Sequence, residues 1–469
     1  MSDLKLAIPL WGKMATRSFH TPLFRGSLEE RGIMPLYFVG PHYFRNAELD
    51  PARYFELKAD QYDKFFNSHR GLSELSNLRR FVVRTETTDL RLRETIEDTL
   101  FASRRLARVW IYAGMMDLLR RIPRLGELAA WSEAILYKTQ EHDQDLKSHA
   151  VDCVLTPGFG SYGFQHEGLF AREAQALGLP VICGITNYDN VVNRGFRGFM
   201  PDKVAVWSKL MADETMALQG IPASRIEITG PVQYDRYFRP PPLNREEFLQ
   251  SKGLDPAKKT IFYAGGVDLS RYFEICWLLM EHRTSAASNL VLRPYPHPKV
   301  LKAPEWQLLE EHLSRQSSFY LSNPLRFSSD TLEVGCLKND VQGEADLDEL
   351  ACLFHYSDVM INHFSTVSLE AAICDLPTIH IGYDSYTYGR RYSISAAFQR
   401  RQTHNLRKLR LEAAKVAEDQ DQLIQYLDFY LQDRTLDQAQ RREYALVECG
   451  YLDGLSGERL AALIKSYLR

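Results

Sequence analysis

Asp358-Val-Met-Ile-Asn362-His363-Phe364-Ser365-Thr366-Val-Ser-Leu-Glu370-Ala-Ala-Ile-Cys-Asp-Leu-Pro377-Thr-Ile-His-Ile381 reads as strand, turn, helix and strand in one short stretch. Asp358 to Asn362 is an apolar run of buried-strand type. Ser365 or Thr366 offers a side-chain oxygen to cap a helix. Leu376-Pro377 ends that helix, and Thr378 to Ile381 is β-branched and strand-like. This order places the first turn of a helix at the carboxyl end of a parallel strand. Unpaired N–H groups and the helix dipole favour an anion there, commonly a phosphate. Thr366 and Glu370 are four apart and share one helix face. A carboxylate so placed can accept hydrogen bonds from a ribose diol. The same pattern also suits an ordinary βαβ unit with a polar rim.

Around that stretch, the totals set bounds. A chain of 469 residues exceeds what one core usually supports, so two domains are expected. A hydrophobic share of 45% and a charged share of 25% are those of a globular protein. The formal net charge of −3 gives no global field for nucleic acid. Seven scattered cysteines without a C-x-x-C pair predict reduced thiols in a cytoplasmic protein, not a disulfide frame or zinc site. No apolar run reaches membrane-span length. The opening Met-Ser-Asp-Leu-Lys-Leu-Ala-Ile-Pro is expected to be a first strand, not a signal peptide.

From the N-terminus, Lys5 to Leu10 predicts a buried strand, residues 11–22 a polar loop, Leu23 to Arg31 a helix and Met34 to Val39 a strand. His20 in that loop is either a general base, its ordinary pKa lying near neutrality, or a loop histidine making one hydrogen bond. Residues from about 45 to 148 carry few strand signals and predict a helical insertion. Its many arginines and aromatics suit a solvated helix face, or a basic surface for an anionic acceptor or a membrane. Val151 to Thr156 predicts a strand, followed by Gly158, Gly160 and Gly163 in a loop that allows close ligand approach. Glu167 opens the next helix, as an acid/base or as a favourable acid in a first turn. After the strand Pro180 to Ile185, Asp189 stands in a polar loop as a further base candidate. Alternating strands and helices predict parallel sheets.

Arg239 to about Lys259, proline-rich and then charged, predicts the linker between domains. A second α/β unit opens at Thr260, and Gly265-Gly266 after its first strand suits phosphate approach. Arg293-Pro-Tyr-Pro-His297-Pro298 is a stiff loop at a strand's carboxyl end. It suits a diphosphate held by charge-assisted bonds, or a turn with a capping histidine. Helices are expected after Ile381, including Leu406 to Lys415.

The S-T-x-x-x-E-A-x-x-x-x-x-P segment at 365–377, behind a proline-rich linker and a first α/β half, resembles nucleotide-sugar glycosyltransferases of the GT-B fold. With Arg293 and His297-Pro298, it is also similar to the His-Pro and Ser-Thr motifs of bacterial capsule and polysialic acid transferases and of teichoic acid CDP-glycerol phosphotransferases. The resemblance implies two Rossmann-like domains facing across a cleft. These are an acceptor domain over 1–240 with the insertion at about 45–148, and a donor domain over 255–445. A C-terminal helix in 446–469 would pack back across the junction. It implies His297, Ser365 and Thr366 on donor phosphates and Glu370 on the ribose; Gly266 and Arg293, from their own loops, are expected to line the same donor site. His20, Glu167 or Asp189 would take the acceptor proton. Many retaining GT-B enzymes carry a Glu where this chain has Asn362. Tyr295-Pro-His297-Pro also resembles nonhydrolysing UDP-N-acetylglucosamine epimerases. The expected activity is sugar transfer from a nucleotide-activated donor to a hydroxyl of a glycan or lipid-linked acceptor, in bacterial surface glycan synthesis. No cofactor or metal is expected. Epimerisation, CDP-polyol phosphotransfer and a non-catalytic nucleotide-sugar scaffold are the alternatives. Expected placement is the cytoplasm, with the inner face of the membrane as an alternative.

Overall fold

The computed structural model describes residues 4–11, 13–41, 44, 49–69, 79–103, 106–158, 165–266, 269–281, 288–295, 304–313, 318–322, 344–384 and 395–468. The chain divides into two units, at Arg236/Tyr237 and again at Leu446/Val447. The first therefore takes back the C-terminal residues.

The first unit holds a seven-stranded sheet in the order β3-β2-β1-β4-β5-β6-β7. Its strands are β1 (Leu4–Leu10), β2 (Ile33–Val39), β3 (Tyr54–Glu56), β4 (Cys153–Pro157), β5 (Val181–Gly184), β6 (Lys203–Val206) and β7 (Ile226–Ile228). All neighbours pair in parallel. A parallel sheet is covered on both faces, so its central strands are apolar throughout. In β1, Leu6, Ile8 and Leu10 enter one core with Phe19, Phe24 and Leu28. Ala7 enters the other, with Phe38, Tyr62 and Phe170. This is the two-residue alternation of a strand. The C-terminal helix Ser456–Tyr467 adds Leu460 and Ile464 to the first core. Its N-terminus is tied down by Asp235, whose carboxylate accepts from the Ser456 and Gly457 amides at 3.0 and 2.7 Å. An acid favours that helix end.

The second unit holds six parallel strands in the order β10-β9-β8-β11-β12-β13. They are β8 (Lys259–Ala264), β9 (Ser288–Arg293), β10 (Phe319–Leu321), β11 (Val359–Asn362), β12 (Thr378–Ile381) and β13 (Lys415–Ala417). The quoted stretch is thus a strand, the helix Val367–Ile373 and the adjacent strand, with Ile361 paired to Ile379.

Four local expectations are corrected. The polar loop at 11–22 contains the helix Lys13–Phe19. The segment read as a helical insertion includes β3, three residues held to β2. The expected linker carries the helix Arg245–Ser251, built on a capping box between Asn244 and Glu247 with Phe248 and Leu249 buried. Reciprocal capping and two apolar contacts outweigh the prolines before it. The basic helix stops at Arg410, and Lys415 begins β13.

Candidate functional site

Each sheet runs outward from its first strand in both directions. The order reverses between β8 and β11 in the second unit, and between β1 and β4 in the first. At such a switch point adjacent loops diverge and leave a crevice at the carboxyl edge.

At the second sheet's switch point, β8 is followed by Gly265-Gly266 and β11 by His363. A Cβ on Gly266 would lie 3.0 Å from the Cβ of His363, so the glycine lets the imidazole lie against the backbone. His363 Nε2 lies 2.6 Å from the Tyr263 hydroxyl, and its Nδ1 is buried without a partner among the described residues. Burial, with the nearby Arg271 charge, pushes the pKa of this ring down to about 3. The ring is therefore neutral at pH 7. When Tyr263 donates to Nε2, the proton sits on Nδ1, a donor without an acceptor.

Phe364 follows with φ of +54°, a left-handed conformation that only a sharp turn demands of an aromatic residue. Its ring stacks on His380, centroids 4.6 Å apart. His380 Nδ1 is 2.6 Å from Asn362 Oδ1, both residues fully buried. Burial and the Lys408 charge hold His380 far below the usual histidine range. Lys408 itself donates to Ser368 Oγ at 2.9 Å.

The expected side-chain cap is absent. Thr366 occupies the cap position with helical dihedrals and no side-chain cap bond. The Ser365 carbonyl accepts from the Ser368 amide instead, and the Thr366 carbonyl from Leu369. Two of the amides expected to meet an anion are thereby used. The half-buried hydroxyls of Ser365 and Thr366, by contrast, have no protein partner among the described residues. One turn later, the buried Glu370 accepts from the Tyr237 hydroxyl.

Arg293, expected to line the donor site, is already paired within the second unit. Its guanidinium donates to Ser322 Oγ at 2.8 Å and to Asp346 at 2.7 Å, with Glu349 at 3.7 Å. Charge on buried Arg293 is satisfied by these carboxylates, so the side chain fixes the end of β9. His297 lies outside the described residues.

In the first unit, Glu167 stands in the first turn of the helix Gln165–Ala176 and accepts from the Trp11 amide at 3.3 Å. It thereby ties the helix Gln165–Ala176 to the residue that follows β1. The neighbouring His166 stacks on Trp11 at 4.2 Å and reaches Asp63 at 3.0 Å. Asp189, buried after β5, accepts from Asn193 at 2.8 Å. Gly158, with φ of +63°, brings its backbone to Asn190, whose Nδ2 would lie 3.1 Å from a Cβ there. Gly160 and Gly163 lie outside the described residues. His20 does not join this edge. Its Nε2 meets the Tyr54 hydroxyl at 2.7 Å, and its ring packs edge-on against Tyr37, over β2 and β3. Burial, aided by Arg25, pushes its pKa down to about 4. A base so weakened and already bonded is poorly suited to take an acceptor proton.

The sequence reading did not assign His363, although it stood at the end of the predicted strand, immediately before the Ser-Thr pair. Tyr263 and Lys408 carried no local signal, since only the fold brings them to the edge. Among the described residues, no group of three or more His, Cys, Asp or Glu side chains is placed to hold a metal ion.

These buried rings make stability pH-dependent. His363 is held neutral down to about pH 3, and His20 and His142, chiefly by burial, down to about pH 4. Unfolded histidines protonate near 6.5, so below that pH the unfolded state binds more protons. Stability is then fully present above about 6.5 and falls with pH, by about 1.4 kcal/mol per pH unit for each ring. Thermal melts between pH 7 and 5 should show this loss, and His363→Gln should flatten the slope. A flat profile in the wild type contradicts it.

No family model matches the sequence, and no curated protein matches it. Solved structures match the fold. The Staphylococcus aureus MnaA structure with UDP aligns over 99% of this chain and 97% of its own, at 14% identity and a TM-score of 0.53. UDP-GlcNAc 2-epimerase from Methanocaldococcus jannaschii aligns over 99% of both chains, at 12% identity and 0.51. The Neisseria meningitidis UDP-GlcNAc 2-epimerase, bound to UDP-GlcNAc, aligns over 98% of this chain and 99% of its own, at 11% identity and 0.50. The chain thus has the fold of these proteins, two parallel α/β units of GT-B type.

Proposed function

We propose that the chain is a nucleotide-sugar enzyme whose second unit holds the donor at the β8/β11 edge, and that it transfers the sugar to an acceptor hydroxyl. One observation carries this reading. Among the described residues, His363 Nδ1 and the hydroxyls of Ser365 and Thr366 have no protein partner, and Glu370 follows one helical turn later. In this reading the neutral His363 donates from Nδ1 to a diphosphate oxygen, and the two hydroxyls donate to others. Glu370 accepts from the ribose diol, and the Tyr237 hydroxyl helps to keep the carboxylate in place. Charge growing on the leaving phosphate is met by donors already fixed in position, which is where such stabilisation is most effective. His297 retains the phosphate role that its motif implies. Arg293 positions β9 and does not touch the donor. The first unit's candidates for the acceptor proton are Glu167 and Asp189, and His20 is set aside. The solved structures of similar fold with UDP or UDP-GlcNAc bound support a uridine nucleotide as the first donor to try.

A second reading is epimerisation of the nucleotide sugar. Its support is the alignment of UDP-GlcNAc 2-epimerases over nearly the whole of both chains. Incubation with UDP-GlcNAc alone, followed by proton NMR of the sugar, separates the two. Transfer predicts an unchanged donor until a glycan or lipid-linked acceptor is added, and then UDP release. Conversion of the donor alone contradicts transfer and establishes epimerisation. A tight complex without turnover under either condition leaves a binding scaffold.

A further inference from the structure

Among the described residues, eight of the 18 large apolar side chains that stand exposed lie between residues 111 and 136. Seven come from two consecutive helices of the first unit, Leu106–Leu119 and Leu125–Leu136, and the eighth, Ile122, from the turn between them. The second of these is turned inside out. Its inward face is Gly126, Ala129, Ala130 and the carboxylate of Glu133, all buried. Gly126 makes room for the Phe196 ring, which would lie 2.5 Å from a Cβ. Glu133 receives the guanidinium groups of Arg79 and Arg172, each at 2.6 Å. Leu128, Trp131 and Ile135 are left facing solvent, Trp131 by 66%. The preceding helix does the same with Ile111, Met115 and Leu118, spaced i, i+4, i+7 and exposed by up to 69%.

A surface helix normally turns its large apolar side chains to the core. Here a buried ion triad fixes the opposite rotation, and an apolar area this concentrated marks an interaction surface. The sequence through these helices is basic. Residues 104 to 124 include six arginines and a single acid, Asp117. Among the described side chains, the exposed Arg84, Arg121 and Arg124 share two carboxylates, Asp117 and Glu127. Exposed pairs of this kind are weak and exchange readily for phosphate. No described helix is long and apolar enough to cross a membrane. Apolar stripes with basic flanks then lie along an interface.

We infer that this face of the first unit binds the surface of an anionic lipid bilayer. Trp131, Ile111 and Leu118 enter the boundary between headgroups and acyl chains, and the arginines pair with lipid phosphates. A second copy of the chain is the less suited occupant, because a two-fold contact would set the arginine excess against itself. The inference is independent of the nucleotide reading.

The test is flotation of the full-length protein with vesicles of phosphatidylcholine, alone or mixed with phosphatidylglycerol. The wild type is expected to float with the anionic vesicles and to be released by salt. The double variant Leu118→Ser, Trp131→Ser should lose at least about tenfold in vesicle affinity with an unchanged melting temperature, since both side chains point outward. A wild type that floats with neither vesicle, or equally with both, overturns the inference. So does a variant that floats as well as the wild type. A dimer in sedimentation velocity that the same two substitutions dissociate assigns the face to a second copy and overturns it too.

Discussion

Glu133→Ala is expected to destabilise the first unit by about 3–5 kcal/mol, the usual cost of stripping one partner from a buried ion pair. Glu133 is fully buried, and Arg79 is 3% exposed. Burial pushes the Arg79 pKa down to about 10, and Arg172 shifts in the same direction for the same reason. Both guanidinium groups stay charged near neutral pH and depend on this carboxylate to offset their burial. With alanine at 133, two cations remain in a dry interior, and only one, Arg172, keeps a further described acceptor, the Gly198 carbonyl. Urea unfolding should show a lower midpoint for Glu133→Ala and an intermediate one for Glu133→Gln, which keeps an amide oxygen. A midpoint shift worth less than about 1 kcal/mol, the scale of exposed pairs, contradicts this account of the triad. Because the triad also sets the rotation of the helix Leu125–Leu136, the same substitution should weaken vesicle flotation.

Glu370→Gln is expected to raise the KM for the nucleotide-sugar donor by about 10- to 100-fold, with a small change in melting temperature. A hydrogen bond to a charged group contributes about 1.5–3 kcal/mol, and the proposed ribose contact is of that kind. Glutamine keeps the volume of this buried side chain and an oxygen for the Tyr237 hydroxyl, so the fold should survive. Steady-state kinetics and a thermal melt on the same preparation read both quantities. An unchanged KM, with the donor still bound and turned over, would remove Glu370 from the donor site.

Much of the second unit was legible because its signals are local. The strand Val359–Asn362, the helix Val367–Ile373 and the strand Thr378–Ile381 follow from a run of apolar residues, a polar turn and a proline. The apolar β1 and β2 were legible for the same reason. Three of the short edge strands were not. β3, β10 and β13 are three residues each, and pairing to a neighbour, not their own composition, makes them strands. At the candidate site, the glycine pair, the Ser-Thr pair and Glu370 could be read from spacing. Side-chain roles that depend on partners distant in sequence could not. Arg293 looked like an anion ligand until Asp346 and Glu349 came to meet it. His20 looked like a base until Tyr54, 34 residues on, came into hydrogen-bond range. Asn362 was read as a missing carboxylate, and the fold gives it His380 as a buried partner.

The most direct test is calorimetric titration of UDP, GDP and CDP into the wild type and into the triple variant His363→Ala, Ser365→Ala, Thr366→Ala. Nucleotide binding at the β8/β11 edge predicts that at least one diphosphate binds the wild type, with a dissociation constant on the order of 1 µM to 1 mM. That binding should be lost in the triple variant while its melting transition stays cooperative. Equal binding by both proteins, or no binding of any nucleoside diphosphate by the wild type, would contradict it.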